Sequence, residues 1–317
     1  MGTLGRVKLG ASLWPQNTTW EAMRDAAKVC DEVGFETVWT WDHFYALQGT
    51  EERPNFESTT ILAALSTVTK KAQLGALVEG ITYRHPAVIA NIAATHDQVS
   101  NGRAICGIGA AWNQTEHKAY GIELGTPGER SRRFAEAAKV IRALLDGERV
   151  TYKGKYYTLK NAVLNTRPVQ KRLPIMIGGG GEQKTLRTTA RYADMWHGFG
   201  PPETMARKLD ILRQHCVDAG RDPSQIEPYG GSWLVIRDTK AEAEGVLSEI
   251  AKHHPGMNRP NAFVGNSDEV TTHLKRYWDI GIRGYIVGFA YPYDTESMER
   301  LANDVRPRLE KLVGIAA

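Results

Sequence analysis

Cysteine is scarce in this chain. Cys30, Cys106 and Cys216 stand far apart among 317 residues, and no two form a Cys-x-x-Cys pair. That spacing excludes a disulfide scaffold and a thiolate metal centre. Histidine is present, but neither His-x-His nor His-Glu-x-x-His occurs. A metal site would have to draw on Asp42, His43, His85, His96, Asp97 and His197 without any ligand spacing. A metal hydrolase therefore fits poorly, and the expectation is no metal. An excess of one charge sign is also missing: 40 Lys+Arg face 36 Asp+Glu, a net +4 with no basic arm. This argues against a nucleic-acid partner. Long apolar runs are absent too. The opening Met1-Gly-Thr-Leu-Gly-Arg6 lacks the apolar stretch of a secretory signal, and Arg6 stands where a myristoylation signal has Ser or Thr. No segment is long and apolar enough to span a membrane, so the expectation is a soluble, cytoplasmic protein with no membrane partner.

What the chain does have is alternation. With 42% hydrophobic residues it can bury a large core. Apolar, β-rich runs fall at 7–13, 35–41, 72–78, 104–108, 173–177, 193–199, 229–236 and 284–288. Between and after them lie helical patterns at 19–34, 58–71, 86–100, 129–145, 182–192, 202–219, 240–252, 267–280 and 297–312. Thr18 or Thr19, Pro86 and Ser267 or Asp268 mark helix starts, and Gly34, Asn101-Gly102, Gly220 and Gly281 mark ends. Eight such strands predict an α/β fold, a (β/α)8 TIM barrel with insertions. The alternative, an open doubly wound sheet, is weakened because the first strand–helix turn carries no Gly-x-Gly-x-x-Gly. Residues 110–128 read as a long loop and 150–159, with Lys153-Gly154 at the centre, as a β-hairpin. Together they make an insertion around 110–165 in one domain spanning 1–317. The segment 253–260 reads as loop.

In such a barrel the chemistry sits at the C-terminal ends of the strands. The second strand ends in Asp42-His43. A histidine there can exchange a proton near neutral pH, or the two side chains can form a structural pair in which Asp42 caps the next segment. The third strand ends in Glu79, either catalytic or paired with Arg84. The fourth ends in Gly107-Ile-Gly-Ala-Ala-Trp-Asn113, whose small residues admit a flat ring; Trp112 can stack on it, or pack in the core. The fifth runs into Gly178-Gly-Gly-Gly181 before a helix. Those exposed amides can cradle a phosphate, with Lys184 and Arg187 adding charge, or the run is only a tight turn. Trp196-His197-Gly198-Phe199 ends the sixth strand, and Trp14 interrupts the end of the first.

Several motifs then occur in a shared order: Trp41-Asp-His-Phe44, Tyr83-Arg-His-Pro86, Ser100-Asn-Gly-Arg103, Gly107-Ile-Gly-Ala-Ala-Trp-Asn-Gln-Thr-Glu-His117, Ile175-Met-Ile-Gly-Gly-Gly-Gly181 and Ala190-Arg-Tyr-Ala-Asp194. Over nearly the whole chain they resemble the bacterial luciferase-like monooxygenase superfamily, and within it the coenzyme F420-dependent oxidoreductases. The resemblance implies a barrel, often dimeric, that transfers a hydride between the C5 of F420 and a small organic substrate. FMN with O2, in a monooxygenase, is the alternative cofactor, and a flavin-binding barrel without turnover a further one. His43 and Glu79 take the catalytic positions. Asp42, His43, Leu77, Val78, Glu79, Gly109, Ala110, Asn113 and Gly178, Gly179, Gly180 and Gly181 take the cofactor-binding ones. The strand-three end, Leu77-Val78-Glu79, matches a bulge that often contains a non-prolyl cis peptide and backs the ring. Trp14, Trp112, Trp196 and His197 are expected to shape the substrate pocket.

Overall fold

The computed structural model describes residues 6–50, 52–257 and 262–315. The sequence readings at Gly2 and Gly5, and at the 258–260 end of the loop that begins at His253, lie outside them.

In chain order, β1 (Lys8–Leu13), α1 (Trp20–Glu32), β2 (Thr37–Thr40), α2 (Ser58–Val68) and β3 (Gln73–Ala76) open the fold, and a bulge separates β3 from the two-residue β4 (Glu79–Gly80). After α3 (Pro86–Val99) and β5 (Ala104–Gly109) come α4 (Gln114–Ala119), α5 (Pro127–Leu145) and an antiparallel hairpin, β6 (Val150–Lys153) and β7 (Thr158–Ala162). The alternation resumes with β8 (Ile175–Gly178), α6 (Thr185–Tyr192), β9 (Met195–Gly198), α7 (Pro202–Asp218) and β10 (Glu227–Ile236). It ends with α8 (Lys240–His253), β11 (Ala262–Gly265), α9 (Ser267–Asp279), β12 (Gly284–Phe289), α10 (Thr295–Arg300) and α11 (Arg306–Leu312), the last two joined by a π-helical turn.

Eight parallel strands close on themselves in the order β1, β2, β3, β5, β8, β9, β10, β12 and back to β1. These are the eight strands read from the sequence, with ends shifted by a few residues. β4 pairs with the end of β5, and β11 pairs with the second half of β10, beyond the reach of β9. Three elements escaped the sequence reading. Two, β4 and β11, are too short for a periodic signal, and α4 lies in the stretch read as a loop.

The strands put alternate side chains into the barrel. Trp39, Ile105, Met176, Met195, Tyr229 and Ile286 form the interior cluster. Its large rings fit because glycines face them. A Cβ on Gly75 would stand 2.9 Å from the Trp39 ring, and one on Gly284 would overlap the Tyr229 ring. The opposite strand faces pack against the helices in two larger clusters, one around α1, α9 and the C-terminal helices and one around α3 and α5.

Gly107 lies so close to the strand beside it that a Cβ would collide with the Ala76 carbonyl, whereas Gly245, inside α8, has open space. Gly107→Ala is expected to cost about 1–3 kcal/mol through forced backbone shift, lowering Tm by several degrees. Gly245→Ala is expected to raise Tm, since alanine is favoured by roughly 1 kcal/mol over glycine in a helix interior. Thermal unfolding of both variants checks this; equal responses would sink the packing argument.

Candidate active site

The C-terminal strand ends surround a cavity of about 300 Å³. Its wall on the β3 side is built by a substitution of space. The peptide between Leu77 and Val78 is cis, and the Val78 side chain enters the room left by two glycines. A Cβ on Gly178 would stand 2.8 Å from Val78 Cγ1, and one on Gly109 would overlap Val78 Cγ2. Leu77 and Val78 therefore present their surface to the cavity, opposite Ala110 and Ala111.

Asp42 fixes this wall. Its Oδ2 accepts the Gly80 amide at 3.0 Å, and Arg84 grips both oxygens at 2.7 and 3.1 Å. Arg84 also pairs with Glu57 at 2.5 Å. Such a two-point guanidinium contact positions as well as binds.

His43 is held differently. Its Nδ1 lies 2.9 Å from Glu116 Oε2. The same carboxylate accepts the Tyr83 hydroxyl at 2.7 Å and the backbone amides of Phe44 and Tyr45 at 2.8 and 2.9 Å. Burial pushes the Glu116 carboxyl up, but the hydrogen bonds from His43, Tyr45 and Tyr83 outweigh it, and its pKa lies below the ordinary value. Glu116 is then an anion with no proton to give, so Nδ1 carries the hydrogen, and among the described residues Nε2 has no hydrogen-bond partner. His43 lines the cavity and meets the exposed Trp112 ring edge-on, with centroids 5.2 Å apart.

The glycine run forms the opposite corner. Gly178 and Gly179 line the cavity, and the Gly179 amide is spent on the His197 carbonyl. Among the described residues the amides of Gly180, Gly181 and Glu182 have no acceptor, the Lys208 ammonium lies over Gly180, and Thr185 Oγ1 stands 2.8 Å from where a Gly181 Cβ would be. Free amides, a hydroxyl and a cation suit a phosphate. A second cavity of about 790 Å³ shares Phe199 with the first and is lined by Trp233, Phe263, His273 and Tyr277. Among the described residues no group of three or more His, Cys, Asp or Glu side chains could hold a metal ion.

The model of a family described as luciferase-like monooxygenase matches residues 3–298. The chain belongs to the luciferase-like monooxygenase family. A phthiodiolone/phenolphthiodiolone dimycocerosates ketoreductase from Mycobacterium bovis is 30% identical over 258 residues, 75% of this chain and 67% of that protein. An F420-dependent glucose-6-phosphate dehydrogenase from Microbacterium testaceum is 29% identical over 317 residues, 90% of this chain and 93% of that one. Among solved structures, an F420-dependent secondary alcohol dehydrogenase in complex with an F420-acetone adduct superposes with a TM-score of 0.83 at 21% identity, covering 96% of this chain and 99% of its own. The oxygenating constituent of 3,6-diketocamphane monooxygenase from Pseudomonas putida, in complex with FMN, gives 0.75 at 17%, covering 96% and 99%. At those identities the two structures show the shared barrel.

On this luciferase-like barrel the residues singled out from sequence do not all meet. Asp42, His43, Leu77, Val78, Gly109, Ala110, Trp112, Gly178, Gly179 and His197 line the first cavity. Gly180 and Gly181 sit just outside its lining. Five others lie elsewhere. Glu79 falls between Val78 and Gly80, so strand alternation turns it to the far side of the wall. Trp196 is turned away likewise and is fully buried against the helices, its indole N–H donating to the Gly179 carbonyl at 2.9 Å. Asn113 is the N-cap of α4 and accepts the Thr115 and Glu116 amides. Trp14 is buried between Trp41 and Trp233, with ring centroids 4.9 and 4.3 Å away. Arg187 is exposed on α6. Lys208, Thr185, Tyr83 and above all Glu116 were not assigned roles from sequence. A signal for Glu116 was there: Asn113-Gln-Thr-Glu116 has the spacing of a helix N-cap followed by Glu at N3.

Glu79 and Glu116 differ sharply. Glu79 Oε2 is buried with no hydrogen-bond partner. Burial, helped by the Asp42 charge and opposed by Arg84, pushes its carboxyl up to about 8. In the unfolded chain it ionises near 4.5, so the folded state binds the extra proton between those values. Stability from this group is full below about pH 4.5 and is lost as pH rises toward 8. Glu79→Gln, which cannot ionise, is expected to be more stable than the parent at about pH 8 by on the order of a few kcal/mol, with the gap closing toward about pH 5. Thermal melts across this range read the difference; parallel pH profiles for the two proteins would refute it.

Proposed function

We propose that the protein is a coenzyme F420-dependent oxidoreductase acting on a small organic substrate. The observation that carries this reading is a ring-sized cavity between His43 and the Leu77–Val78 bulge, with a phosphate cradle at its edge. Its relatives include F420-dependent enzymes along most of their length. When bound, F420 supplies or accepts a hydride at C5 of its deazaflavin ring.

The residues fit that group. Leu77 and Val78 would back the ring, Gly109 and Ala110 would let it approach the backbone, and the amides of Gly180 and Gly181 with Lys208 would hold the phosphate. His43 Nε2 gives a proton to, or takes one from, the substrate oxygen, while Glu116 holds the ring in one tautomer and stabilises the imidazolium form. Trp112 and Phe199, both exposed at the rim, cover apolar substrate surface, and the larger adjoining cavity gives the substrate room. No helix is long and apolar enough to cross a membrane. The cytoplasmic location and the homodimer expected from sequence belong to this proposal.

A fluorescence titration with F420 and, separately, with FMN tests the cofactor. Tight binding of F420 is expected, and preference for FMN would move the protein to the oxygen-using branch. His43→Ala is expected to lower kcat by about 10²–10⁴-fold, the usual share of a general acid or base, with cofactor affinity within a few-fold of the parent. Undiminished turnover would remove His43 from the chemistry. Glu116→Gln keeps the shape but cannot serve as a full anion. It is expected to lower kcat at least tenfold while leaving cofactor affinity within a few-fold of the parent, since the imidazole loses the anion that orients it. Undiminished turnover would show that Glu116 only holds the loop.

A further inference from the structure

The Nε2 atom of His273, on α9, is buried with no hydrogen-bond partner. Buried polar atoms are nearly always paired, so an orphan needs a reason. This one stands in the wall of the cavity of about 790 Å³ that adjoins the proposed cofactor site. The two cavities meet at Phe199, which lines both. Gly231, in the wall of the larger one, lies against the same junction. A Cβ there would stand 2.7 Å from His197 Nε2 and 3.2 Å from Phe199 Cε1. A side chain at 231 would narrow the passage, and the glycine leaves it open.

The larger cavity is walled by rings. Trp233 packs on Trp14 with centroids 4.3 Å apart. The Phe263 ring stacks on His273 at 4.1 Å, and Tyr277 meets His273 edge-on at 5.4 Å. Such a wall stabilises apolar surface, and the volume suits a body far larger than a three-carbon ketone. The hydroxyls in the wall are already used: Tyr277 donates to the Gly200 carbonyl at 3.3 Å and Ser232 to the Trp233 carbonyl at 3.2 Å. Burial pushes His273 down to about 4, so the ring is neutral near pH 7. Its Nε2 thus offers one uncharged hydrogen bond within an apolar wall. Among the described residues no Lys, Arg, Asp or Glu lines this cavity, so a charged group entering it would lose water without gaining an opposite charge. We propose that the substrate is an uncharged ketone, or its secondary alcohol, with an extended apolar body. Its reacting oxygen lies at His43, its body passes Phe199 and Gly231 into the larger cavity, and a polar group on that body bonds to His273 Nε2. The proposal rests on the F420 reading above and gives that substrate its shape.

The test titrates 2-butanone, 2-hexanone, 2-octanone and 2-decanone into the protein loaded with oxidised F420, by calorimetry. The oxidised cofactor has no hydride to give, so each affinity is read at equilibrium. Affinity is expected to rise about two- to four-fold per added methylene, as buried CH2 groups give. A terminal hydroxyl, in 8-hydroxy-2-octanone and 10-hydroxy-2-decanone, is expected to tighten binding of at least one of the two by roughly three- to tenfold over the plain ketone. A terminal carboxylate, in 9-oxodecanoate, is expected to weaken binding at least about tenfold against 2-decanone. His273→Phe keeps a ring on Phe263 but no polar atom. It is expected to keep the chain-length series and to reverse the hydroxyl preference, since the hydroxyl then loses water without a partner. A Tm no lower than the parent's checks its fold. Affinity that does not rise with chain length, tighter binding of the carboxylate, or an undiminished hydroxyl preference in His273→Phe overturns the inference and leaves the cofactor reading standing. Failure of the protein to load with F420 overturns both.

Discussion

A carboxylate buried without water must find its hydrogen bonds in the protein, and Glu116 finds four. Its donors come from three places: the His43 ring, the backbone of Phe44 and Tyr45 after β2, and the Tyr83 hydroxyl after β4. An unsatisfied buried charge is costly, so these partners move together or not at all. That requirement ties α4 to two strand ends that the barrel alone would leave as loose loops. The Asn113 cap starts α4 at the position that turns Glu116 inward. His117, beside it, donates from Nδ1 to the Asn113 carbonyl at 2.6 Å and accepts the Thr82 hydroxyl at 2.7 Å. The short helix is thereby pinned at both of its buried residues.

The second constraint is the wall beside it. Asp42 and His43 are adjacent in sequence yet serve different neighbours: Asp42 holds Gly80 and Arg84, and His43 holds Glu116. Adjacent residues point to opposite sides of an extended chain. One side chain can therefore secure the bulge while the other reaches over the cavity. The glycines at 109 and 178 complete the wall by receding from Val78. Apolar surface, small residues and the His43 and His197 rings then lie within one enclosure.

The barrel was legible in the sequence because its signals are long: eight β-rich runs, most of them bounded by a glycine, a proline or a cap. The site was legible at strand ends, where topology alone directs attention; this is how Asp42, His43, Val78 and Gly178 came into view. Side-chain direction was less legible. Glu79 and Trp196 each sit one residue from a cavity-lining neighbour, and a one-residue step in a strand changes the face. Glu116 was hidden for another reason. A helix of six residues has too few turns to show a hydrophobic period, so its segment read as a loop. Lys208 could not be found at all from local sequence, since it reaches the glycine run from the next helix, and only the packing of α6 against α7 brings it there.

The protonation states at the mouth narrow the chemistry. Glu116 is an anion saturated by four donors, and Asp42 is gripped at both oxygens by Arg84. Burial lowers His197 to about 3, so it is neutral, and its Nε2 is packed against Gly231. His117 is lowered by burial as well and uses both ring nitrogens in hydrogen bonds. Glu79 is neutral below about 8 but faces away behind the wall. Each of these groups is therefore spent, locked or turned aside. His43 Nε2 alone is both directed by a buried counter-charge and free of a protein partner among the described residues. On the proposed reading, a proton moving to or from the substrate would pass through His43, and the hydrogen bond to Glu116 keeps that ring in place.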